Sequence, residues 1–132
     1  MKLSQASPIL LVEDNLINQK VACLSLKSLD IDCIVATTGE EAIEILEEQS
    51  FNIILMDCRL PGIDGPETCQ RIRQIEKEKA SPKTYIIGFS AGTSNSLEDW
   101  PQKSRIDAVL PKPFRIEDLE EKIRNALQSR EA

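Results

Sequence analysis

Short unbroken apolar runs alternate along this chain with stretches in which apolar residues recur every third or fourth position. The strongest runs are Ile9-Leu10-Leu11-Val12, Ile53-Ile54-Leu55-Met56 and Tyr85-Ile86-Ile87-Gly88-Phe89; Cys33-Ile34-Val35-Ala36 and Ala108-Val109-Leu110 are shorter. A run that is apolar at every position predicts a strand covered on both faces. Between the runs lie helical patterns. From Leu16, the residues Ile17, Val21 and Leu24 recur at helical spacing. Thr38-Gly39-Glu40-Glu41 resembles a capping box and opens a helix carrying Ala42, Ile43 and Leu46. Asp64-Gly65-Pro66-Glu67 is another start signal, with Asp64 as the cap, Pro66 tolerated in the first turn, and Ile72 and Ile75 facing inward. Ile116, Leu119, Ile123 and Leu127 mark a last helix. Strand followed by helix, repeated along the chain, predicts an α/β fold: a doubly wound parallel sheet with right-handed crossovers and helices on both faces. The fourth helical stretch, Thr93 to Arg105, is weak: it holds Leu97 and Trp100 and is interrupted by Pro101, so a short or displaced helix is expected there. Residues 1–7 read as a polar tail and residues 8–132 as one domain without repeats or an internal linker.

Composition narrows the function classes. The 132 residues are 41% hydrophobic and 29% charged, the balance of a soluble domain able to bury a core without disulfides. No apolar run approaches a membrane span and no signal peptide opens the chain, so no membrane contact and a cytoplasmic location are expected. A net charge of −6 argues against a nucleic-acid surface. The four cysteines, Cys23, Cys33, Cys58 and Cys69, form no C-x-x-C pair. They read as reduced thiols packed as small hydrophobes. The chain has no histidine. Ser-His and Cys-His nucleophiles are thereby excluded, and any histidine in a reaction must come from a partner.

In a doubly wound sheet, ligands bind beyond the carboxyl ends of the strands. Glu13 and Asp14 follow the first strand, Asp57 the third, Ser90 the fourth and Lys112 the fifth. Taken singly, each has a dull explanation. Glu13-Asp14 is a helix-cap signal, with Asp14 or Asn15 as the cap. Asp57 alone is a turn residue. Together they bring acids, a hydroxyl and a lysine to one edge. Crowded carboxylates need a cation to stay ionised, and a hard divalent ion with oxygen ligands, Mg²⁺, fits. A carboxylate can attack phosphorus, with a cation and a lysine neutralising the transferring group.

Ile9 to Asn15, Ile54 to Gly65 (with Met56-Asp57-Cys58-Arg59-Leu60-Pro61-Gly62) and Leu110-Pro111-Lys112-Pro113-Phe114 resemble three segments of bacterial response-regulator receiver domains. The Glu13 to Asn18 run looks most like receivers of hybrid sensor histidine kinases. The resemblance runs from about Pro8 to Leu127. It implies a flavodoxin-like sheet of five strands in the order 2-1-3-4-5. It implies Asp57 as phosphoacceptor, with Asp14 and Asp57 side chains and the Arg59 carbonyl on Mg²⁺, and Glu13 acting through metal-bound water. It implies Ser90 as the switch hydroxyl, Lys112 paired with the phosphoryl group, and a cis Lys112–Pro113 peptide. It places Arg59 and Gly92 along the path of the hydrolytic water. The partner it implies is a sensor histidine kinase or a histidine phosphotransfer domain, and the chemistry is self-phosphorylation with slow loss of the phosphate rather than turnover of an external substrate.

Two features depart from the pattern. Val109 stands where such receivers often carry a Tyr or Phe whose ring turns inward on activation. Pro101 and the polar Thr93-Ser94-Asn95-Ser96 run do not match a regular helix. These departures keep a second reading open, a receiver-like module that binds partners without phosphorylation. A haloacid-dehalogenase-type phosphatase needs a second aspartate where Arg59 stands. Flavin binding lacks a phosphate-cradling loop after the first strand, where Glu13 and Asp14 would repel a phosphate.

Overall fold

The computed structural model describes residues 7–91 and 99–131. Five strands, β1 (Ile9–Val12), β2 (Cys33–Ala36), β3 (Ile53–Asp57), β4 (Tyr85–Ala91) and β5 (Ala108–Lys112), form one sheet in the order β2-β1-β3-β4-β5. Every pairing is parallel. Among the described residues, the α-helices with assigned bounds are α1 (Leu16–Ser28), α2 (Gly39–Glu48), α3 (Gly65–Lys79) and α4 (Ile116–Glu131). The doubly wound, flavodoxin-like α/β fold is therefore borne out. None of the described helices is long and apolar enough to cross a membrane.

Successive strand residues point to opposite faces, and each face builds its own core. Ile9 and Leu11 of β1, Ile53 and Leu55 of β3, and Ile87 and Phe89 of β4 pack with Ala22 and Leu26 of α1 and with Leu119, Ile123 and Ala126 of α4. Leu10, Val12, Ile54, Met56 and Ile86 pack on the other side with Ala42 of α2, Cys69 and Ile72 of α3, and Trp100. Both alternating sets are apolar, which is why the strands read as continuous runs.

The caps lie where the sequence signals put them. Asn15, rather than Asp14, caps α1, its Oδ1 accepting from Asn18 N at 2.9 Å. Thr38 Oγ1 accepts from Glu41 N at 3.0 Å, while the Glu41 carboxylate reaches back to Thr37 N at 2.6 Å, one residue before the cap. Asp64 Oδ1 accepts from Glu67 N at 2.9 Å at the start of α3.

α1 departs from its sequence reading. Its spacing of apolar residues predicts the helix correctly, but Leu16, Ile17, Val21 and Leu24 are exposed, the last at 69%. Ala22 and Leu26 are the residues it buries. The connection from β4 to β5 was expected to hold a short or irregular helix. Most of that stretch, including Gly92 and Thr93 to Ser96, lies outside the described residues. What is described is one 3₁₀ turn, Gln102–Ser104, entered from Pro101. Trp100 is buried just before it, its indole N–H donating to Phe89 O at 2.9 Å. The ring lies across β4 at Gly88, where a Cβ would collide with Trp100 and Ile106.

Candidate functional site

The strand order reverses between β1 and β3, and the residues that follow these two strands meet there. In register, Val12 pairs with Met56 and Asp57 with Phe89, so Glu13, Asp57 and Ser90 reach the same carboxyl edge. Ser90 is opposite Pro111, one step short of the Ala91–Lys112 pair. Of the residues singled out from sequence, Glu13, Asp14, Asp57 and Lys112 come together. Ser90 is buried at the end of β4 beside them, and Arg59 is exposed two residues beyond Asp57.

Glu13 is almost completely buried. A buried carboxylate needs donors, and it has two: Lys112 Nζ on Oε1 at 2.9 Å and Asn15 N on Oε2 at 3.2 Å. Lys112 Nζ also lies 3.5 Å from Asp57 Oδ1. One ammonium thus spans two acids, one from β1 and one from β3. The same ammonium lies over the Phe89 ring, 5.0 Å from Nζ to the centroid, and Phe89 stacks on Phe114 at 5.5 Å. The Lys112–Pro113 peptide is cis. Phe89 and Phe114 were not singled out from sequence. Their signal is positional: an aromatic residue directly before Ser90 and another two residues after Lys112.

Asp57 Oδ1 also accepts from Cys58 N at 3.0 Å. Burial pushes the Asp57 carboxyl above its ordinary range; Lys112 pulls it back, the Glu13 charge raises it further, and the Cys58 N–H lowers it. The carboxylate is therefore held in a place that disfavours its charge, with a single ammonium shared between two acids.

The donor set fits a divalent cation. One carboxylate oxygen each from Glu13, Asp14 and Asp57 lie within 4.8 Å of one another, spanning buried, exposed and half-buried positions. All three are hard oxygen ligands of the kind Mg²⁺ takes, with room left for water on the exposed Asp14 side.

Exposed apolar surface adjoins this edge. Val21 and Ala22 of α1 line a groove together with Glu13, Lys112, Pro113 and Phe114. The exposed Ile17 and Leu24 extend the same helix face.

Three comparisons bear on what this arrangement is. A family model described as the response regulator receiver domain matches residues 9–124. Hybrid signal transduction histidine kinase K of Dictyostelium discoideum is 32% identical over 127 residues, covering 93% of this chain; the chain spans only 10% of that kinase's length. The receiver domain of sensor histidine kinase PA1611 from Pseudomonas aeruginosa, solved with a magnesium ion coordinated in its active-site cleft, superposes with a TM-score of 0.82 at 31% identity, covering 93% of this chain and 98% of that one. A co-crystal structure of the Saccharomyces cerevisiae histidine phosphotransfer protein Ypd1 with the receiver domain of its response regulator Ssk1 gives a TM-score of 0.79 at 32% identity, covering 89% and 86%. Similar chains thus occur in bacteria and eukaryotes, and the pattern does not separate the two.

Proposed function

This chain belongs to the response regulator receiver domain family, and on that premise we propose that Asp57 is its phosphoacceptor. The domain serves two-component or phosphorelay signalling. The observation that carries the assignment of Asp57 is the meeting of the Glu13, Asp14 and Asp57 carboxylates within 4.8 Å of one another, with Lys112 between Glu13 and Asp57.

In this reading an oxygen of the ionised Asp57 attacks the phosphorus of a phosphohistidine. A P–O bond forms, the P–N bond breaks, and the imidazole nitrogen takes up a proton. The chain contains no histidine, so the donor sits on another domain or protein, a sensor histidine kinase or a histidine phosphotransfer domain. Lys112 moves its charge from Asp57 toward the phosphoryl oxygens, and Ser90 offers a hydroxyl from the end of β4. Glu13 holds Lys112 in place from its buried side. Glu13, Asp14, Asp57 and the Arg59 carbonyl would hold Mg²⁺, whose charge, when bound, offsets the crowding of the acids and the charge on the transferring group.

The exposed face of α1 supports delivery by a protein. Ile17, Val21 and Leu24 form an apolar stripe beside the groove that opens onto Lys112, where a docked donor would bring its histidine to Asp57. The four unpaired thiols suit a reducing compartment, and a cytoplasmic location is part of the same reading.

The test is incubation with a small phosphodonor and Mg²⁺, followed by a search for an acid-stable, base-labile phosphate on the protein. The proposal expects it in the native chain, and expects its loss in Asp57→Ala and on chelation of the metal. An Asp57→Ala protein labelled as well as the native one would overturn the assignment. Failure to label either, with retained binding of a partner, would favour a module that acts without phosphorylation.

A further inference from the structure

Outside the phosphoacceptor site, two nucleophilic side chains stand against each other. Cys23, on the sheet-facing side of α1, and Cys33, the first residue of the edge strand β2, have their sulfurs 3.1 Å apart. A disulfide bond is about 2.05 Å, so a closing movement of about 1 Å separates this contact from a bond. Both residues are half-buried, and both are free. The other two cysteines, Cys58 and Cys69, are buried on the opposite face of the sheet, in the core with α2 and α3. Nothing in the phosphoryl chemistry uses the pair.

We propose that Cys23 and Cys33 form a reversible intramolecular disulfide on exposure to a peroxide, a modification site that ties α1 to β2. The thiolate of Cys23 attacks one peroxide oxygen; the O–O bond breaks, hydroxide leaves, and Cys23 becomes a sulfenic acid. Cys33 attacks that sulfur; the S–S bond forms, the sulfenic oxygen leaves with the Cys33 proton, and a second water results. Two thiols are oxidised by two electrons and one peroxide is reduced to two waters. Burial pushes the Cys33 thiol up, which suits it to the second step, where its partner is already an electrophile. Cys58 and Cys69 are buried, and burial pushes the Cys69 thiol up to about 11, so they compete poorly for the oxidant.

The experiment treats the native chain with a slight excess of hydrogen peroxide at neutral pH, blocks the remaining thiols, and digests with trypsin and a glutamyl endopeptidase. Cleavage after Lys20, Lys27 and Glu40 puts Cys23 and Cys33 on separate peptides. The expected result is a cross-linked pair of these peptides, loss of two thiols per chain, and full recovery on reduction. Cys33→Ser should instead leave Cys23 as a sulfenic acid that dimedone captures, and Cys23→Ser should show neither species. Peroxide that oxidises Cys58 or Cys69 first, or that leaves all four thiols free in the folded chain, overturns the proposal. So does dimedone labelling of Cys33 in the Cys23→Ser protein.

Discussion

Replacing Lys112 by methionine removes one positive charge, and with it the cation over the Phe89 ring, while keeping an unbranched apolar side chain of similar length. In the native site that charge is shared: 2.9 Å from Glu13 and 3.5 Å from Asp57. The Glu13 side chain is 2% exposed and the Lys112 side chain 27%. The pair therefore falls between a fully buried one, where loss of a partner costs about 3–5 kcal/mol, and a surface one at about 0–1 kcal/mol. Glu13 keeps its hydrogen bond from Asn15 N, so a loss of about 2 kcal/mol is expected without metal. Mg²⁺ should recover part of that loss. A unit charge a few ångströms from a divalent ion opposes it by about 1–2 kcal/mol even in a water-like dielectric, so its removal should tighten Mg²⁺ binding about tenfold. The assay is urea denaturation with Trp100 fluorescence as the probe, at neutral pH, with and without millimolar Mg²⁺. Lys112→Met should be the less stable protein without Mg²⁺ and should gain more from it, by about 1 kcal/mol when both proteins are near saturation. Phosphorylation by a small donor should nevertheless slow by an order of magnitude or more, because the lysine acts on the transferring group. Equal Mg²⁺ stabilisation of the two proteins would refute the reasoning, since the acids and the lysine would then not share a cation site.

Other outcomes follow from separate parts of the structure. Arg73 is buried and donates to Asp107, Glu76, Thr84 O and Arg105 O, so Arg73→Met should cost about 3 kcal/mol in denaturant unfolding; Lys83 still pairs with Asp107 and keeps the loss from being larger. Val21→Glu or Leu24→Glu on the exposed stripe of α1 should lower phosphotransfer from a histidine-bearing partner at least tenfold, leaving labelling by a small donor and the unfolding midpoint unchanged. Burial raises the Cys69 thiol from 9.0 to about 11, so the unfolded chain loses that proton first as pH rises. The contribution is complete below pH 9 and is lost toward pH 11, at about 3 kcal/mol in full, and Cys69→Ala should flatten that alkaline limb in a pH series of unfolding curves. Trp100 donates to the carbonyl of Phe89, next to Ser90, so its emission should change when the native chain is phosphorylated and stay constant in Asp57→Ala.

How far the sequence could be read depended on whether the determining contact was local. The strands were legible because a strand covered on both faces must be apolar at every position, as Ile9 to Val12 and Ile53 to Met56 are. The site was legible because the fold forces strand ends onto one edge, so Glu13, Asp57 and Lys112 had to meet once the strands were placed. The face of α1 was not. Ile17, Val21 and Leu24 have the spacing of a buried stripe, and apolar spacing cannot distinguish a face turned to the core from one turned to a partner. The pairing of Cys23 with Cys33 depends on how α1 lies along the edge strand, which no C-x-x-C spacing encodes. The Arg73 network is similarly remote: its partners lie up to 34 residues away, across α3, β4 and the entry to β5. Trp100 was read as a weak helical residue, whereas its place is fixed by the gap that Gly88 leaves on β4.

The central claim, that Asp57 accepts the phosphoryl group, is tested most directly by trapping the acyl phosphate. The chain is phosphorylated with Mg²⁺ present, reduced with borohydride, digested and sequenced by mass spectrometry. The account predicts conversion of residue 57, and no other, from aspartate to homoserine, dependent on both donor and metal. Homoserine at Asp14, or an unmodified Asp57 in a protein that carries phosphate elsewhere, would contradict it.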